Sequence, residues 1–320
     1  MADFDLFNGD ADGIFSLLQL RAVDPRPNAE VVTGVKRDIA LFGRISGRTR
    51  AGDRVTALDI SMARNTEGLL HVLESGARVF YVDHHQTGDI PDHPGLHCIA
   101  DTSAVTCTAF LVDRHLEGAQ AAWAVCGAYG DNFPALAERI AAERGLALPL
   151  GRLRELGELV NYNAYGQVVE DLHIHPATLF ATLSAYPGPV AFLDAEPAAL
   201  ETLREGFAAD WDVAQGARTL RDTPGAQVLV LPRCAASSRI GGLFGNALVD
   251  EEPDRAFAIL TEAEGGFRAS IRAPRGAGNP SAAALAAQFG GGGRRAAAGI
   301  DTIAHAQLDV FVDRFTETFR

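Results

Sequence analysis

Along the first hundred residues, short apolar runs alternate with helix-length stretches. Runs near 4–7, 30–35, 54–59 and 77–82 read as strands, and 13–23, 38–47 and 65–75 read as helices between them. Strands alternating with helices predict right-handed crossovers and a parallel sheet covered on both faces. In such sheets ligands bind beyond the carboxyl ends of the strands. From about 102 to 220 the pattern is mostly helical. The stretch 105–116 is amphipathic behind a Thr102 or Ser103 cap, and 119–129 is apolar nearly all round. Helices follow at 134–144 and 152–160, and a long one at 197–221 serves as the connection between domains. After Pro224 strands return at 226–231, 256–260 and 267–272, the last two paired around Glu264-Gly265-Gly266. A glycine-containing helix at 239–249, an Ala-rich helix at 281–288, four glycines and a final helix from about His305 complete the chain. The pattern therefore predicts an α/β protein. A parallel-sheet domain (1–190) is joined by a helical linker (191–224) to a smaller α/β domain (225–320).

The strand ends carry the chemistry. Phe4 to Phe7 runs into the Gly-punctuated turn Asn8-Gly9-Asp10-Ala11-Asp12-Gly13, Val55 to Leu58 ends in Asp59, and Val79 to Val82 ends in Asp83-His84-His85. A further acid, Asp131, follows Gly130 at the end of the apolar helix. Asp10, Asp12, Asp59, His84 and Asp131 would thus place four carboxylates and an imidazole near one crevice, where like charges raise one another's pKa. Divalent cations resolve that repulsion. Two ions about 4 Å apart, bridged by Asp59, would activate a water and stabilise the attacking and leaving oxygens of a displacement at phosphorus. Mixed carboxylate and imidazole ligation suits Mn²⁺ and also admits Mg²⁺, Co²⁺ or Fe²⁺. His85 is then left to hydrogen-bond a phosphate or protonate a leaving group. Asp53 and Asp222 read as turn or cap residues.

Bulk properties narrow the partners. The 320 residues are 47% hydrophobic and 22% charged, as in ordinary globular domains. The net charge of −13 argues against wrapping long DNA or RNA. The absence of a run of about 18 apolar residues or a basic-then-apolar leader predicts no membrane span, no signal peptide and a cytoplasmic location. Cys98, Cys107, Cys126 and Cys234 show no metal spacing and read as buried reduced thiols.

The residues resemble the DHH phosphoesterase superfamily. Asn8-Gly9-Asp10-Ala11-Asp12-Gly13, the lone Asp59, Asp83-His84-His85 and Gly130-Asp131-Asn132 are similar to its motifs one to four. Gly291-Gly292-Gly293-Arg294-Arg295-Ala296-Ala297-Ala298-Gly299 is similar to the glycine motif of its C-terminal DHHA1 domain. The motifs occur in the family's order and span nearly the whole chain. Relatives include RecJ exonucleases, nanoRNases that also dephosphorylate phosphoadenosine phosphate, phosphodiesterases of cyclic dinucleotides, and manganese pyrophosphatases with a different C-terminal domain.

The resemblance implies a two-metal, Mn²⁺-dependent phosphoesterase acting on small nucleotides or very short oligonucleotides in a cleft between the two domains. Asp10 and Asp59 would hold one ion, and Asp12, Asp59, His84 and Asp131 the other. His85 would face substrate and Asp83 would orient a histidine. Arg272, Gly291, Gly292, Gly293 and Arg294 would bind substrate, with Ser270 beside Arg272. Two positions depart from the pattern. Asn8 stands where relatives open the metal set with His or Asp, and a neutral amide oxygen binds a divalent ion less well than either. Arg294 stands where relatives commonly carry His, and arginine grips phosphate without titrating. Lys36 and Arg37, at the end of the second strand, would meet phosphate or solvate a helix start equally well. His173 and His175 read as structural. A homodimer stays open, and long duplex nucleic acid and membranes are not expected partners. Two other readings also stay open. One is a non-hydrolytic nucleotide-binding or regulatory protein on the same fold. The other is a monoesterase or pyrophosphatase rather than a diesterase, although the C-terminal glycine motif points away from pyrophosphatase.

Overall fold

The structure, a computed structural model, describes residues 1–276 and 278–320. The chain forms two compact units, Met1–Glu205 and Gly206–Arg320.

The first unit opens with β1 (Asp3–Phe7), α1 (Ala11–Val23), β2 (Glu30–Val32), β3 (Arg54–Leu58), α2 (Met62–Glu74), β4 (Arg78–Asp83) and β5 (Leu96–Ala100). These strands make one parallel sheet in the order β2-β1-β3-β4-β5. Its central strands are buried on both faces, which is why they read as apolar runs rather than alternating ones. Phe4, Leu6, Val55, Ala57, Val79 and Tyr81 pack with residues of α2 into one core cluster. Inside β1, Asp5 is buried but receives two hydrogen bonds from Arg21 of α1, at 2.5 and 2.8 Å.

Helices follow: α3 (Thr108–His115), α4 (Ala121–Gly130), α5 (Pro134–Glu143), α6 (Leu150–Asn163), α7 (Pro176–Ser184), α8 (Pro189–Ala195) and α9 (Ala198–Gln215). The all-apolar α4 is buried along its length and packs against α1, α3, α5 and α6. Glycine permits the closest of these approaches. A Cβ on Gly130 would lie 2.3 Å from the Ala11 Cβ, at the start of α1.

The second unit begins within α9 and continues through β6 (Arg218–Asp222), β7 (Ala226–Leu231), α10 (Ala235–Glu251), β8 (Ala256–Ala263), β9 (Gly266–Arg272), α11 (Ala282–Ala287), β10 (Gly292–Gly293), β11 (Ala297–Ala304) and α12 (Leu308–Thr318). Its sheet has the order β10-β11-β9-β8-β7-β6 and is antiparallel except for the β7–β8 pair.

Several sequence expectations are corrected. The helix expected over 38–47 is a single 3₁₀ turn, Phe42–Arg44, capped at its start by Asn65 Oδ1 accepting from the Phe42 N–H. The long helix ends at Gln215, and 218–222 is the edge strand β6. The last α-helix starts at Leu308, after a 3₁₀ turn over His305–Gln307. Besides β6, three strands were not anticipated: β5, a half-exposed edge, the two-residue β10, and β11, whose alanines have weak strand preference and which is held by its register with β9. Cys107 and Cys126 are buried free thiols, but Cys98 is half-buried and Cys234 exposed. Cys234 immediately precedes α10, where the chain enters a helix from an extended, solvent-facing position.

Candidate metal centre

The sheet's hydrogen-bond ladder continues one residue past the strand ends and brings the acidic residues together. The Asn8 N–H donates to the Leu58 carbonyl (3.2 Å), and the Asp59 N–H donates to the Val82 carbonyl (3.0 Å). Asn8, Asp59 and Asp83 therefore stand side by side at the carboxyl edge. At Asp59 the chain turns through a left-handed conformation, φ 58°, which Asp tolerates better than most residues. From the first strand the chain enters α1 directly, with Asp10 as its cap, its Oδ1 accepting from the Gly13 N–H at 3.1 Å. Gly13 is required there, since a Cβ would lie 2.1 Å from the Asn8 carbonyl oxygen.

His84 is the hub. Its Nδ1 faces the Thr106 carbonyl at 3.1 Å, and a carbonyl only accepts, so Nδ1 carries a proton and Nε2 is the nitrogen turned toward the acids. Nε2 lies 3.4 Å from Asp59 Oδ1, 3.6 Å from Asp131 Oδ2 and 3.8 Å from Asp12 Oδ2. Three carboxylates gathered around one ring nitrogen repel one another unless a cation lies among them. Ligand atoms of Asp12, His84 and Asp131 all lie within 4.8 Å of one another, as do those of Asp59, His84 and His85. The carboxylate and imidazole donors on this side fit a divalent ion.

The neighbours hold these ligands in place. Asp12 is fully buried and accepts from the Thr108 and Ala109 N–H groups, each at 2.7 Å, at the start of α3. The Thr108 hydroxyl donates to Asp59 Oδ1 at 3.0 Å. His85, 40% exposed, binds the buried Asp83 Oδ1 through Nδ1 at 2.7 Å, which leaves its Nε2 as the outer ring nitrogen. Asp131 follows α4, with its N–H on the Gly127 carbonyl at 2.9 Å.

The charge pattern shows in the acidities. Burial, with Asp10, Asp12, Asp131 and Asp83 nearby, pushes the Asp59 carboxyl well above the ordinary range. Burial likewise raises Asp131 to about 6, although Lys36 draws it back. Burial opposes the His85 imidazolium, but the Asp83 bond outweighs it and raises its pKa.

Asp10 is in a different position. Its Oδ2 accepts from Lys36 Nζ at 2.5 Å, and that ammonium also donates to Asn161 Oδ1 at 3.1 Å and lies 3.5 Å from Asp131 Oδ1. Burial raises the Asp10 carboxyl, yet Lys36 and the Gly13 N–H more than offset this and hold it below the ordinary value. Asn8 turns its amide nitrogen onto the Lys36 carbonyl at 3.4 Å, and its Oδ1 is buried with no hydrogen-bond partner among the described residues.

Lys36, Thr108 and Asn161 were not in the metal set read from the sequence. Lys36 had a signal, a cation at a strand end, whereas Thr108 and Asn161 had none. Arg37 instead meets Gln167. His173 Nε2 faces the Tyr162 hydroxyl at 2.9 Å, and His175 caps α7 through Nδ1, so both have structural partners. Asp53 accepts the Ala2 and Arg50 N–H groups as a turn residue.

The substrate candidates of the glycine motif belong to the second unit. Gly292 and Gly293 form β10 and pair with Gly299 and Ala298 of β11, so Arg294 and Arg295 sit at the hairpin tip. Gly293 has φ 149°, and a Cβ there would meet the Ala297 carbonyl oxygen at 2.5 Å. Arg272 donates to Asn246 Oδ1, to Ser270 Oγ at 3.0 Å and to the Gly242 carbonyl at 3.1 Å.

A parallel sheet with acids at its carboxyl edge, followed by a second mixed-sheet unit, is a fold shared with several solved structures. No family model matches the chain, and no curated protein sequence matches it. Among solved structures it is similar to an exonuclease RecJ bound to manganese, with a TM-score of 0.62 and 18% identity over 98% of this chain and 89% of that one. A pGpG-specific phosphodiesterase from Vibrio cholerae gives 0.58 and 16% identity over 99% and 98% of the two chains. RecJ from Thermus thermophilus in complex with Mn²⁺ gives 0.59 and 15% identity over 99% of this chain, which spans 51% of that one.

Proposed function

We propose that the chain is a metal-dependent phosphoesterase of DHH/DHHA1 type, with Mn²⁺ as its ion, that hydrolyses phosphoester bonds of small nucleotides or very short oligonucleotides. The observation that carries this reading is His84 Nε2 facing Asp12, Asp59 and Asp131 at 3.4–3.8 Å, with Nδ1 committed to a carbonyl. The fold shared with RecJ and the pGpG-specific phosphodiesterase supports it. A divalent ion bound there would polarise a phosphoryl oxygen and lower the pKa of a water.

The chain's own groups supply the rest. Asp59, buried and shared by the surrounding groups, fixes the ligand geometry. Asp83 holds His85 Nδ1–H, so that Nε2 of the imidazolium can give its proton to the leaving oxygen as the P–O bond breaks, while the attacking water gives up a proton to solvent and its oxygen bonds to phosphorus. From the second unit, Arg272, Gly291, Gly292, Gly293 and Arg294 are assigned to binding the rest of the substrate. The overall charge of −13 favours short substrates over long polyanions.

The test is hydrolysis with Mn²⁺ of phosphoadenosine phosphate, a linear diadenylate, a five-nucleotide RNA, a longer single-stranded DNA and pyrophosphate, with Asp59→Ala as the blank. Mn²⁺-dependent cleavage of the short nucleotides that disappears in the variant is expected. Tight nucleotide binding without turnover of any of them would instead favour a binding protein.

A further inference from the structure

The geometry points to a centre that holds one divalent ion per chain, with the Lys36 ammonium standing as its second cation. This rests on the metal-dependent reading above and departs from a two-ion arrangement. The side of the centre beside Asp10 does not fit an ion. Asp10 Oδ2 is bonded to Lys36 Nζ (2.5 Å), and Asp10 Oδ1 caps α1 on the Gly13 N–H (3.1 Å). The Asn8 amide nitrogen is bonded to the Lys36 carbonyl. Beside Asp10 stand only the neutral amide oxygen Asn8 Oδ1 and the Asp59 carboxylate, whose Oδ1 faces His84, so no set of three donors free of the ammonium converges there to hold a dication. Among the described residues, neither of the two sets of converging ligand atoms includes Asp10.

Lys36 is built into this place and is not a surface side chain that happens to reach it. Its N–H donates to the Ala164 carbonyl at 2.9 Å, just past α6, and its carbonyl accepts from Asn8. The side chain, 27% exposed, runs 5.5 Å from the Tyr165 ring centroid. Its ammonium then has three oxygen neighbours, from Asp10, Asn161 and Asp131, matching its three donors. Asn8 and Lys36 fit together chemically. A charged or imidazole ligand at position 8 would call for an ion where the ammonium sits, whereas an amide can bond to the lysine's own backbone. Asp131 is the link between the halves, with Oδ2 toward His84 and Oδ1 toward Lys36. The ammonium is therefore positioned to help neutralise charge on a phosphoryl group held by the single ion.

The experiment is Mn²⁺ stoichiometry on the full chain by equilibrium dialysis, with electron paramagnetic resonance of the bound ion. Wild type is expected to bind one Mn²⁺ with the hyperfine pattern of an isolated ion. The double variant Asn8→His/Lys36→Ala is expected to bind two and to show a spin-coupled pair. Two coupled ions in wild type would overturn this inference and leave the hydrolase reading standing. A folded double variant, checked by circular dichroism, that still binds one ion would also overturn it. No bound ion in wild type would sink both.

Discussion

The two halves of the centre solve the same electrostatic problem in opposite ways. Around His84, Asp12, Asp59 and Asp131 converge on one nitrogen, with Lys36 reaching only the far oxygen of Asp131, and the Asp59 and Asp131 carboxyls are pushed upward. Around Asp10, a lysine is already in place, and the carboxyl is held below its ordinary value. Asp10 and Asp59 are equally buried yet opposite in acidity, and what differs is the charge placed beside each. A half that lacks its own counter-charge is a receptor for an ion. A half that has one is complete as folded.

Substitutions on either side separate these descriptions. The largest contrast is expected between Asp131→Asn and Asp10→Asn. The first should reduce hydrolysis to background and abolish stabilisation by Mn²⁺, which for wild type at a hundredfold excess over Kd is about 2.7 kcal/mol. The second should keep the Mn²⁺-dependent rise in melting temperature, and its loss would erase the distinction between the halves. Next, Asp83→Asn should lower kcat about 10- to 100-fold with the ion still bound, because it loosens His85 and not the ligands.

A pH series gives a smaller, signed effect. The Asp131 carboxyl binds its proton more tightly in the folded chain (about 6) than at its ordinary value of 3.8. The ion-free protein should therefore gain stability as pH falls from about 7 toward 4, while Mn²⁺ affinity weakens over the same range. Melting curves with chelator and with Mn²⁺ should move in opposite directions, and parallel movement would rule this out. The smallest effect is expected from Thr108→Val, which removes the hydroxyl that donates to Asp59. It should cost about 1 kcal/mol of stability and leave one ion bound.

The half that awaits an ion was the half legible in the sequence. An apolar run ending in acid marks a strand's carboxyl edge, so Asp12, Asp59 and His84, with Asp10 next to them from the other half, could be placed in one crevice from local pattern alone. Asp131 was found by the same logic at a helix end. The other half was not legible, because its partners come from distant segments. Lys36 meets Asn161 only after α6 has packed against α4 and the chain past it has returned to the sheet edge. Thr108 reaches Asp59 across 49 positions, and nothing in its own neighbourhood announces that. The fold was read well where strands are buried and apolar. It was missed at β6 and β11, where pairing outweighs composition, and at 38–47, where an apparent helix is one tight turn.

Asp12 has a consequence beyond ligation. Both of its oxygens accept from the first-turn amides of α3, while Oδ2 also faces His84 Nε2. Unravelling that turn would remove the two amides that orient the carboxylate, and an ion drawing on the same carboxylate would resist the unravelling. The two equilibria are linked and must act on each other equally. The Thr108 and Ala109 amide protons are thus a gauge of occupancy wired into the backbone, exchanging with solvent more slowly as the centre fills.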